Sequence, residues 1–261
     1  MPDRLTPLVS MILTTRDRPR CLQIALRCYD HQTYPRKELV VVDDGAHWPA
    51  DPHAVAAVGG RLIRVEPGTP LGTKLNRGIA ESTGDLCQKM DDDDWYGSHF
   101  LQRMVKFWRK NQRHLSWPVL MGNAPHLVFD LNRWEIRSNL GQVAGGTLLF
   151  AREVWEQQPF RDIVKAEDAW FILDQLRLGS RLVRVDGEST FMLVRHGGIG
   201  LDRGHTWRYW WNQTVEEVVK QLPTYEQPEA VLPDWAVAAY AEISGARPVT
   251  LSQAPAQAQR T

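Results

Sequence analysis

The sequence predicts an α/β protein with a doubly wound, mostly parallel β-sheet and a second, smaller mixed sheet. In the first third of the chain, short apolar runs alternate with amphipathic stretches, as in parallel strands joined by helices. Polar clusters directly follow three of these apolar runs. Because ligands of such sheets bind beyond the carboxyl ends of the strands, the two observations together predict one site along one sheet edge.

The first third is predicted to contain four strands and two helices. The strands are expected at residues 8–14, 38–42, 62–65 and 85–90. One helix is expected at 20–30, with Asp17 as its cap and Pro19 in its first turn. A second helix is expected at 72–82, with Gly84 as a left-handed C-terminal residue. The polar clusters at the strand ends are Thr14-Thr15-Arg16, Asp43-Asp44-Gly45 and the four aspartates at 91–94.

The second half changes from this alternation to a mixed pattern. Helices are expected at 98–111, with Ser98 as a cap, and at 167–178, ended by Gly179. Strands and hairpins are expected over 119–151, with a turn at Leu131-Asn132, and further strands at 181–185 and 191–195. The glycine-rich stretch 197–204 predicts a mobile loop. Periodicity is lost beyond residue 220, and the low-complexity end at 251–261 is expected to be disordered.

The bulk composition excludes some classes of protein. Lys plus Arg and Asp plus Glu both number 31, and a net charge of zero argues against a nucleic-acid-binding protein. The three cysteines, Cys21, Cys28 and Cys87, have no metal-ligand spacing and are expected to be buried thiols. Since no signal peptide or membrane-spanning run is present in the sequence, we expect a cytoplasmic protein.

The acidic run at 91–94 is the strongest local signal. Extended backbone would place Asp91 and Asp93 on one face and Asp92 and Asp94 on the other. Such a run becomes stable when it helps to bind Mg²⁺ or Mn²⁺ together with a diphosphate. Composition alone favours a solvated acidic loop, but the run lies between an apolar strand and Trp95-Tyr96, which favours a buried site.

Four segments in order carry a resemblance to a known family. LVSMILTTRDRP, ELVVVDDG, GTKLNRGIAESTGD and MDDDDWY resemble the family 2 glycosyltransferases of GT-A fold, and the resemblance covers residues 8 to about 100. It implies a Rossmann-like sheet in one catalytic domain at 1–220. The nucleotide-sugar half would lie at about 1–97 and the acceptor half at 98–220, followed by a C-terminal extension at 221–261.

The resemblance also implies roles for residues of the donor site. Thr14 and Arg16 would line the nucleotide base pocket, and Asp43 would accept a hydrogen bond from the base. Lys74 and Asn76 would lie near the donor diphosphate and ribose. Members of the family more often have arginine directly before this asparagine, where this chain has leucine, so the donor-phosphate contact stays open.

The metal site is implied by the same resemblance. The family's acidic motif falls on the run at 91–94, with Asp91 toward the ribose, Asp92 in the donor site and Asp93 on Mn²⁺ or Mg²⁺. Asp92 or Asp94 could take either role. A later Arg-His-Gly segment resembles an element of small bacterial members whose histidine completes the metal shell or touches the diphosphate, which assigns His196. The glycine-rich loop after it is a candidate lid.

The acceptor side is implied by two further segments. GGTLLF followed by REVW resembles the segment beneath the acceptor site and includes Gly146. AEDAW resembles the family's Glu-Asp motif, whose aspartate, here Asp168, is the general base, with Glu167 and Trp170 beside it. Without the resemblance, an acidic pair favoured by a helix N-terminus would explain Glu167 and Asp168 equally well.

These observations predict a metal-dependent, inverting transfer of one sugar from a nucleoside-diphosphate sugar, preferably a UDP-sugar. The chain lacks the Gln-x-x-Arg-Trp element of processive members, so it is expected to add a single sugar. A sugar nucleotidyltransferase is disfavoured because no glycine-rich loop follows the first strand. A non-catalytic nucleotide-sugar-binding protein would need no base. The acceptor, whether glycan, lipid-linked precursor, protein or small natural product, cannot be deduced from the sequence.

Overall fold

The structure, a computed structural model, describes residues 6–114, 117–138, 141–187, 189–196 and 221–245. The strands within these residues are β1 (Val9–Thr15), β2 (Lys37–Asp43), β3 (Arg61–Arg64), β4 (Leu86–Asp91), β5 (Trp95–Tyr96), β6 (Val119–Asn123), β7 (Leu127–Asp130), β8 (Glu135–Arg137), β9 (Leu149–Ala151), β10 (Arg181–Val185) and β11 (Phe191–Arg195). The helices are α1 (Pro19–Asp30), α2 (Pro52–Ala57), α3 (Leu71–Glu81), α4 (Phe100–His114), α5 (Arg152–Gln157), α6 (Glu167–Arg177), α7 (Pro228–Val231) and α8 (Asp234–Ser244), with a 3₁₀ turn at Gly145–Thr147.

The larger sheet has seven strands in the order β10-β6-β9-β4-β1-β2-β3. Its neighbouring strands are parallel, except that β9 runs antiparallel to both β4 and β6. Thr14 is level with Asp91 on β4, and Thr15 is level with Asp43 on β2. The three polar clusters therefore lie along one edge of the sheet, as the sequence predicts.

The smaller sheet has four strands in the order β5-β11-β7-β8. Strand β11 is parallel to β7 and antiparallel to β5, so this sheet is mixed. Strand β5 directly follows the acidic run and β11 ends beside His196, so the small sheet borders the site. The predicted fold class, with its large mostly parallel sheet and smaller mixed sheet, is confirmed.

Apolar residues cover both faces of the large sheet, so that β1 and β4 are almost continuously buried. Helix α1 packs on one face and α3 on the other. A Cβ on Gly78 of α3 would lie 2.6 Å from Ile12 Cγ2, so glycine there allows the helix to approach the sheet closely. The cysteines Cys21, Cys28 and Cys87 are buried free thiols, as expected.

Two predicted helix boundaries are wrong. The N-cap of α1 is Arg18, whereas Asp17 has a φ of 52° and accepts the backbone N–H groups of His47 and Trp48 at 2.7 and 2.8 Å. Asp17 thus ties the first strand end to the second. Helix α3 ends at Ser82 in extended conformation, and Gly84 is required for a different reason: a Cβ there would lie 2.4 Å from Ser10 Oγ.

The C-terminal extension contains a helix that the sequence analysis does not predict. Helix α8 ends at Gly245 in left-handed conformation and packs against α1, with the Arg27 guanidinium 4.5 Å from the Trp235 ring centroid. Its buried residues Ala236 and Tyr240 belong to the same apolar cluster as β1. The extension is therefore part of the core up to residue 245.

Two other predictions fall on residues outside the described ranges, namely the glycine-rich loop at 197–204 and the tail at 251–261. Across the described ranges, every helix is too short or too polar to cross a lipid bilayer.

Candidate active site

The first strand end contributes one buried and one exposed side chain. Thr14 is buried, whereas the side chain of Arg16 is 57% exposed, with its Nε 3.8 Å from Asp44 Oδ2. Between these two residues, Thr15 donates its hydroxyl proton to Asp92 Oδ2 at 2.7 Å. The strand end therefore carries a long arginine side chain exposed to solvent, next to a buried hydrogen bond between a hydroxyl and a carboxylate.

Asp43 lies fully buried at the end of β2. Its Oδ1 accepts the N–H of Gly45 at 2.7 Å, and its Oδ2 accepts the N–H of Ala50 at 2.6 Å and a hydrogen bond from Arg64. In this arrangement the carboxylate shapes the loop after β2. Its predicted contact with a nucleotide base stays a prediction and would require these partners to shift.

Lys74 and Asn76 have different environments although both lie on α3. Lys74 is buried, and its Nζ donates to Asp44 Oδ1 at 2.6 Å and to the Thr15 carbonyl at 3.4 Å. The Asn76 amide instead bonds to the loop after α5: its Nδ2 donates to the Phe160 carbonyl at 2.8 Å, and its Oδ1 accepts Trp155 Nε1 at 2.8 Å. The structure therefore brings Lys74 to the site and uses Asn76 for packing.

The acidic run does not continue β4 in extended conformation. Residues 92–94 form a bend, so the expected alternation of the four side chains between two faces is wrong. Asp92 and Asp93 instead share one cation, because Arg18 Nη1 lies 3.0 Å from Asp92 Oδ1 and 2.9 Å from Asp93 Oδ2. Asp94 points the other way, where it accepts the N–H of Val194 at 2.8 Å.

Burial changes the charge of this cluster. It raises the pKa of Asp92 to about 6, against the opposing effect of Arg18, and raises the pKa of Asp94 well above its ordinary value. A raised pKa favours the protonated acid at Asp92 and Asp94. The Arg18 guanidinium beside Asp92 and Asp93 relieves part of the repulsion expected from four adjacent carboxylates.

Asp93 and His196 meet at the boundary between the two sheets. His196 Nε2 lies 3.4 Å from Asp93 Oδ2, and both side chains are buried. Tyr240 of α8 donates its hydroxyl proton to the Asp93 carbonyl at 3.2 Å and so supports this position from below. A carboxylate and an imidazole at this separation have the donor chemistry of a Mn²⁺ site.

Within the described ranges, no group of three or more His, Cys, Asp or Glu residues is arranged around a common metal position. Two protein ligands are nevertheless enough for a cation that completes its shell with diphosphate oxygens and water. The residues therefore fit a cation shared with a donor, rather than a closed structural metal site.

Asp91 is the carboxylate of the run that remains most open, with 31% of its side chain exposed. Its backbone N–H donates to the hydroxyl of Tyr96, which in turn donates to the Gly146 carbonyl at 3.0 Å. A Cβ on Gly146 would lie 2.7 Å from Asp91 Oδ2. Gly146 therefore lets the acceptor-side turn approach Asp91 closely.

Asp168 and Glu167 begin α6 beside that same turn. Asp168 is half-buried, its Oδ1 accepts the N–H of Ala169 at 2.7 Å, and a Cβ on Gly145 would lie 1.7 Å from its Oδ2. Glu167 is buried, and burial raises its pKa to about 7. Asp91 and Asp168 thus both lie against the turn at Gly145–Thr147.

Trp170 is half-buried one turn into α6. The guanidinium of Arg161 lies 4.0 Å from its ring centroid, and Arg161 also forms two hydrogen bonds with Asp174 at 2.7 and 2.8 Å. The tryptophan is therefore held by a cation over its face, at the rim of the acceptor side.

The sequence of this chain matches the family described as Glycosyl transferase family 2 over residues 10–162. This chain is a family 2 glycosyltransferase. The matched region contains every element from β1 to α5, including the acidic run and the glycine turn. No curated protein matches the chain in sequence.

Several solved structures share the fold of this chain. TarS of S. aureus, residues 1–349 in complex with UDP, has a TM-score of 0.56 at 15% identity, covering 72% of this chain and 60% of that one. The same TarS fragment in complex with UDP-GlcNAc has a TM-score of 0.55 at 15% identity, covering 72% and 58%. The mannosyltransferase PcManGT from Pyrobaculum calidifontis, in complex with GDP-Man and Mn²⁺, has a TM-score of 0.52 at 19% identity, covering 74% and 58%. This glycosyltransferase therefore spans about three fifths of the length of these solved chains, and at such identities the likeness shows the GT-A fold alone.

Two charged residues of the glycosyltransferase site were missed by the sequence analysis. Arg18 precedes the helix-starting proline and was not singled out, yet it bridges Asp92 and Asp93. Lys89 lies within β4, two residues before the run, and its Nζ is 2.5 Å from Asp91 Oδ1. A lysine inside an apolar strand that leads into an acidic run was the available signal, because such a charge is rarely buried without a partner.

Proposed function

We propose that this glycosyltransferase moves one sugar from a nucleoside-diphosphate sugar, preferably a UDP-sugar, to an acceptor hydroxyl with inversion at the anomeric carbon. The observation that carries the proposal is that Asp91 and Asp168 both lie against the turn at Gly145–Thr147, Asp91 beside Gly146 and Asp168 beside Gly145. The closeness of a proposed donor-side carboxylate and a proposed base to one short segment supports a single displacement.

Asp168 is suited to act as the base. Its Oδ1 accepts only the N–H of the next residue, and its Oδ2 has no hydrogen-bond partner among the described residues. The acceptor oxygen would form its bond to the anomeric carbon as the bond from that carbon to the diphosphate breaks. Asp168 would take the proton that the acceptor hydroxyl loses.

Asp93 and His196 are the residues proposed to hold Mn²⁺ or Mg²⁺ together with the donor diphosphate. When bound, a divalent cation neutralises the charge that develops on the departing diphosphate. Lys74 lies within the same edge, since its Nζ contacts Asp44 at 2.6 Å, and can add positive charge near the phosphates. The preference for UDP is supported by the resemblance of the Thr14 and Asp43 pattern to uridine-binding members.

A thermal-shift screen tests the donor and the metal together. Uridine, thymidine and guanosine diphosphates and their sugars are compared with and without Mn²⁺, and we expect the largest rise in Tm for a uridine compound with Mn²⁺. Bound ligand stabilises the folded state by about 2.7 kcal/mol at a hundredfold excess over Kd, which is readily measured. An equal rise with Mn²⁺ omitted would contradict the metal proposal.

A pair of variants distinguishes loss of a proposed metal ligand from loss of any buried carboxylate. Asp93→Asn should abolish the Mn²⁺-dependent part of the shift. Asp130→Asn is the control, because Asp130 is equally buried but lies at the end of β7, where it pairs with Arg133 at 2.7 Å. The stereochemistry is checked by NMR of the sugar that slow donor hydrolysis releases: an α-linked donor should yield the β-anomer first. Release of the α-anomer would rule out inversion.

A further inference from the structure

Lys89 is a buried cation for which the reaction described above has no role. Only 3% of its side chain is exposed, and its Nζ lies 2.5 Å from Asp91 Oδ1 and 3.5 Å from Glu167 Oε1. Its backbone N–H donates to the Leu148 carbonyl at 2.9 Å, directly after the glycine turn. Lys89 therefore lies on β4 with Asp91 and joins this strand to the residue after the glycine turn and to the first residue of α6.

The Lys89 ammonium group is charged despite its burial. Burial lowers the pKa of this lysine, but the surrounding carboxylates of Asp91, Glu167 and Asp168 raise it by more. A buried ion pair seldom stabilises a protein more than apolar residues of similar size would. Leu86 and Met90 on the same strand are apolar, so an apolar residue would also fit at position 89. Lys89 is therefore better explained by the positions in which it holds the Asp91 and Glu167 carboxylates than by a gain in stability.

The start of α6 differs from the other helix starts in the conformation of its N-cap residue. Its N-cap is Ala166, which has a left-handed φ of 59° and forms no side-chain capping hydrogen bond. Glu167 and Asp168 are adjacent in this first turn, so a contact that fixes the Glu167 carboxylate also fixes the direction in which Asp168 projects.

We propose that Lys89 is a positioning residue of the transfer reaction, joining the donor-side carboxylate of Asp91 to the first turn of α6 and thereby setting the position of Asp168. This inference rests on the proposed roles of Asp91 and Asp168. Lys89 touches neither sugar nor acceptor. It acts through two arms: the Asp91 arm affects donor binding, and the Glu167 arm affects the chemical step.

The test is a double-mutant cycle on turnover, measured as release of nucleoside diphosphate from the donor that the screen identifies. Lys89→Met keeps the length of the side chain and removes its charge. We expect kcat to fall about 100-fold, as for a catalytic group displaced by about 1 Å, and the donor KM to rise. Glu167→Gln in the same chain removes the uncompensated carboxylate, so the double variant should recover kcat to within about twofold of Glu167→Gln alone while keeping the raised donor KM.

Lys37→Met is the matched control for loss of a lysine with buried contacts. Lys37 Nζ donates to the carbonyls of Tyr29 and Gln32 at the opposite edge of the sheet, so this variant should lower Tm and leave kcat and donor KM unchanged. A purely structural Lys89 would behave in the same way, and that result would overturn the proposal. So would single-variant losses that simply multiply in the double variant.

The role of Lys89 can still be tested if Lys89→Met fails to fold. In that case the double variant is compared with Glu167→Gln, and a kcat far below that of Glu167→Gln would reject the Glu167 arm. Failure of the proposed function is recognised separately, because the unaltered protein would then show neither a nucleotide-dependent rise in Tm nor turnover of any nucleotide sugar.

Discussion

The two edges of the site, the proposed donor edge and the proposed acceptor edge, differ in the partners of their carboxylates. On the donor edge, Asp44 contacts Lys74, while Asp92 and Asp93 share Arg18. On the acceptor edge, Asp168 accepts only the N–H of the residue after it, within the part of the chain that the structure describes. The donor edge is thus balanced by the protein's own cations, whereas the acceptor edge keeps one carboxylate oxygen available.

This difference has a chemical consequence. A diphosphate and its cation can enter the donor edge by taking over contacts that Arg18 and Lys74 already make, so the cluster remains neutralised before and after binding. A base has the opposite requirement, since an oxygen already committed to a strong donor accepts a proton poorly. Aspartates are therefore used in two ways in the proposed site: paired with cations on the donor edge, and with an oxygen left available on the acceptor edge.

Removal of the open carboxylate should produce the largest effect. Asp168→Asn is expected to lower kcat by about 10³-fold, within the range for general-base catalysis, and to leave the nucleotide-dependent rise in Tm unchanged. Glu153→Gln is the control, because Glu153 is likewise an acidic residue in the first turn of a helix, but an exposed one on α5. Retention of full turnover by Asp168→Asn would favour a non-catalytic nucleotide-sugar-binding protein.

Displacement of that carboxylate without its removal should have a smaller effect. In Gly145→Ala the new Cβ would meet Asp168 Oδ2 at 1.7 Å, so the carboxylate must move, and we expect kcat to fall about 100-fold with donor affinity retained. Gly141→Ala is the matched control. No described atom lies within 4 Å of a Cβ at Gly141, and the φ of this residue is outside the left-handed region. Equal kinetics for the two variants would mean that Asp168 needs no defined position.

Loss of the shared cation tests the balance of the donor edge. Arg18→Gln leaves Asp92 and Asp93 facing each other, and the free energy of unfolding without metal should fall by about 1–3 kcal/mol, the value of hydrogen bonds to charged groups. Mn²⁺ should then raise Tm more in this variant than in the unaltered protein. Arg20→Gln, on the same helix and with its side chain 58% exposed, should change neither quantity.

The smallest predicted effect is a pH dependence of stability from Glu167. Its folded-state pKa of about 7 lies above the unfolded value near 4.3, so the folded protein binds the proton more tightly between these limits. The free energy of unfolding should therefore fall as pH rises from about 4.5 to 7, by on the order of 1–3 kcal/mol, and level off above that range. Urea unfolding across this range should show a smaller fall for Glu167→Gln, and parallel curves for both proteins would refute the prediction.

Much of the fold was predictable because it depends on patterns that are local in the sequence. Strands β10 and β11 were predicted with their bounds as observed, since each is a short apolar run between turn residues. Helix α8 was missed, although Pro233 and Gly245 flank it, because its alanine-rich sequence has little contrast between its faces. The contact of this helix with the site was therefore missed as well, because Tyr240 of α8 donates a hydrogen bond to the Asp93 carbonyl.

The residue types of the site were predictable, but their partners were not. The resemblance assigns Asn76 to the donor and Asp43 to the base, and both assignments stay predictions. The structure adds protein partners that the sequence does not show, the Phe160 carbonyl for Asn76 and the side chain of Arg64 for Asp43. The Phe160 and Arg64 partners come from segments distant in the chain. No periodicity or local motif reports them.

The sequence by itself determined the class of this protein: the alternating sheet, the polar strand ends on one edge, and the ordered motifs of family 2. Only the tertiary structure decided how the four aspartates divide, with Asp91 on Lys89, Asp92 and Asp93 on Arg18, and Asp94 beneath β11. The physical reason is that hydrophobic pattern and motif order are properties of neighbouring residues. The charge and direction of a buried carboxylate depend instead on whichever cations and N–H groups the folded chain brings within about 3 Å of it.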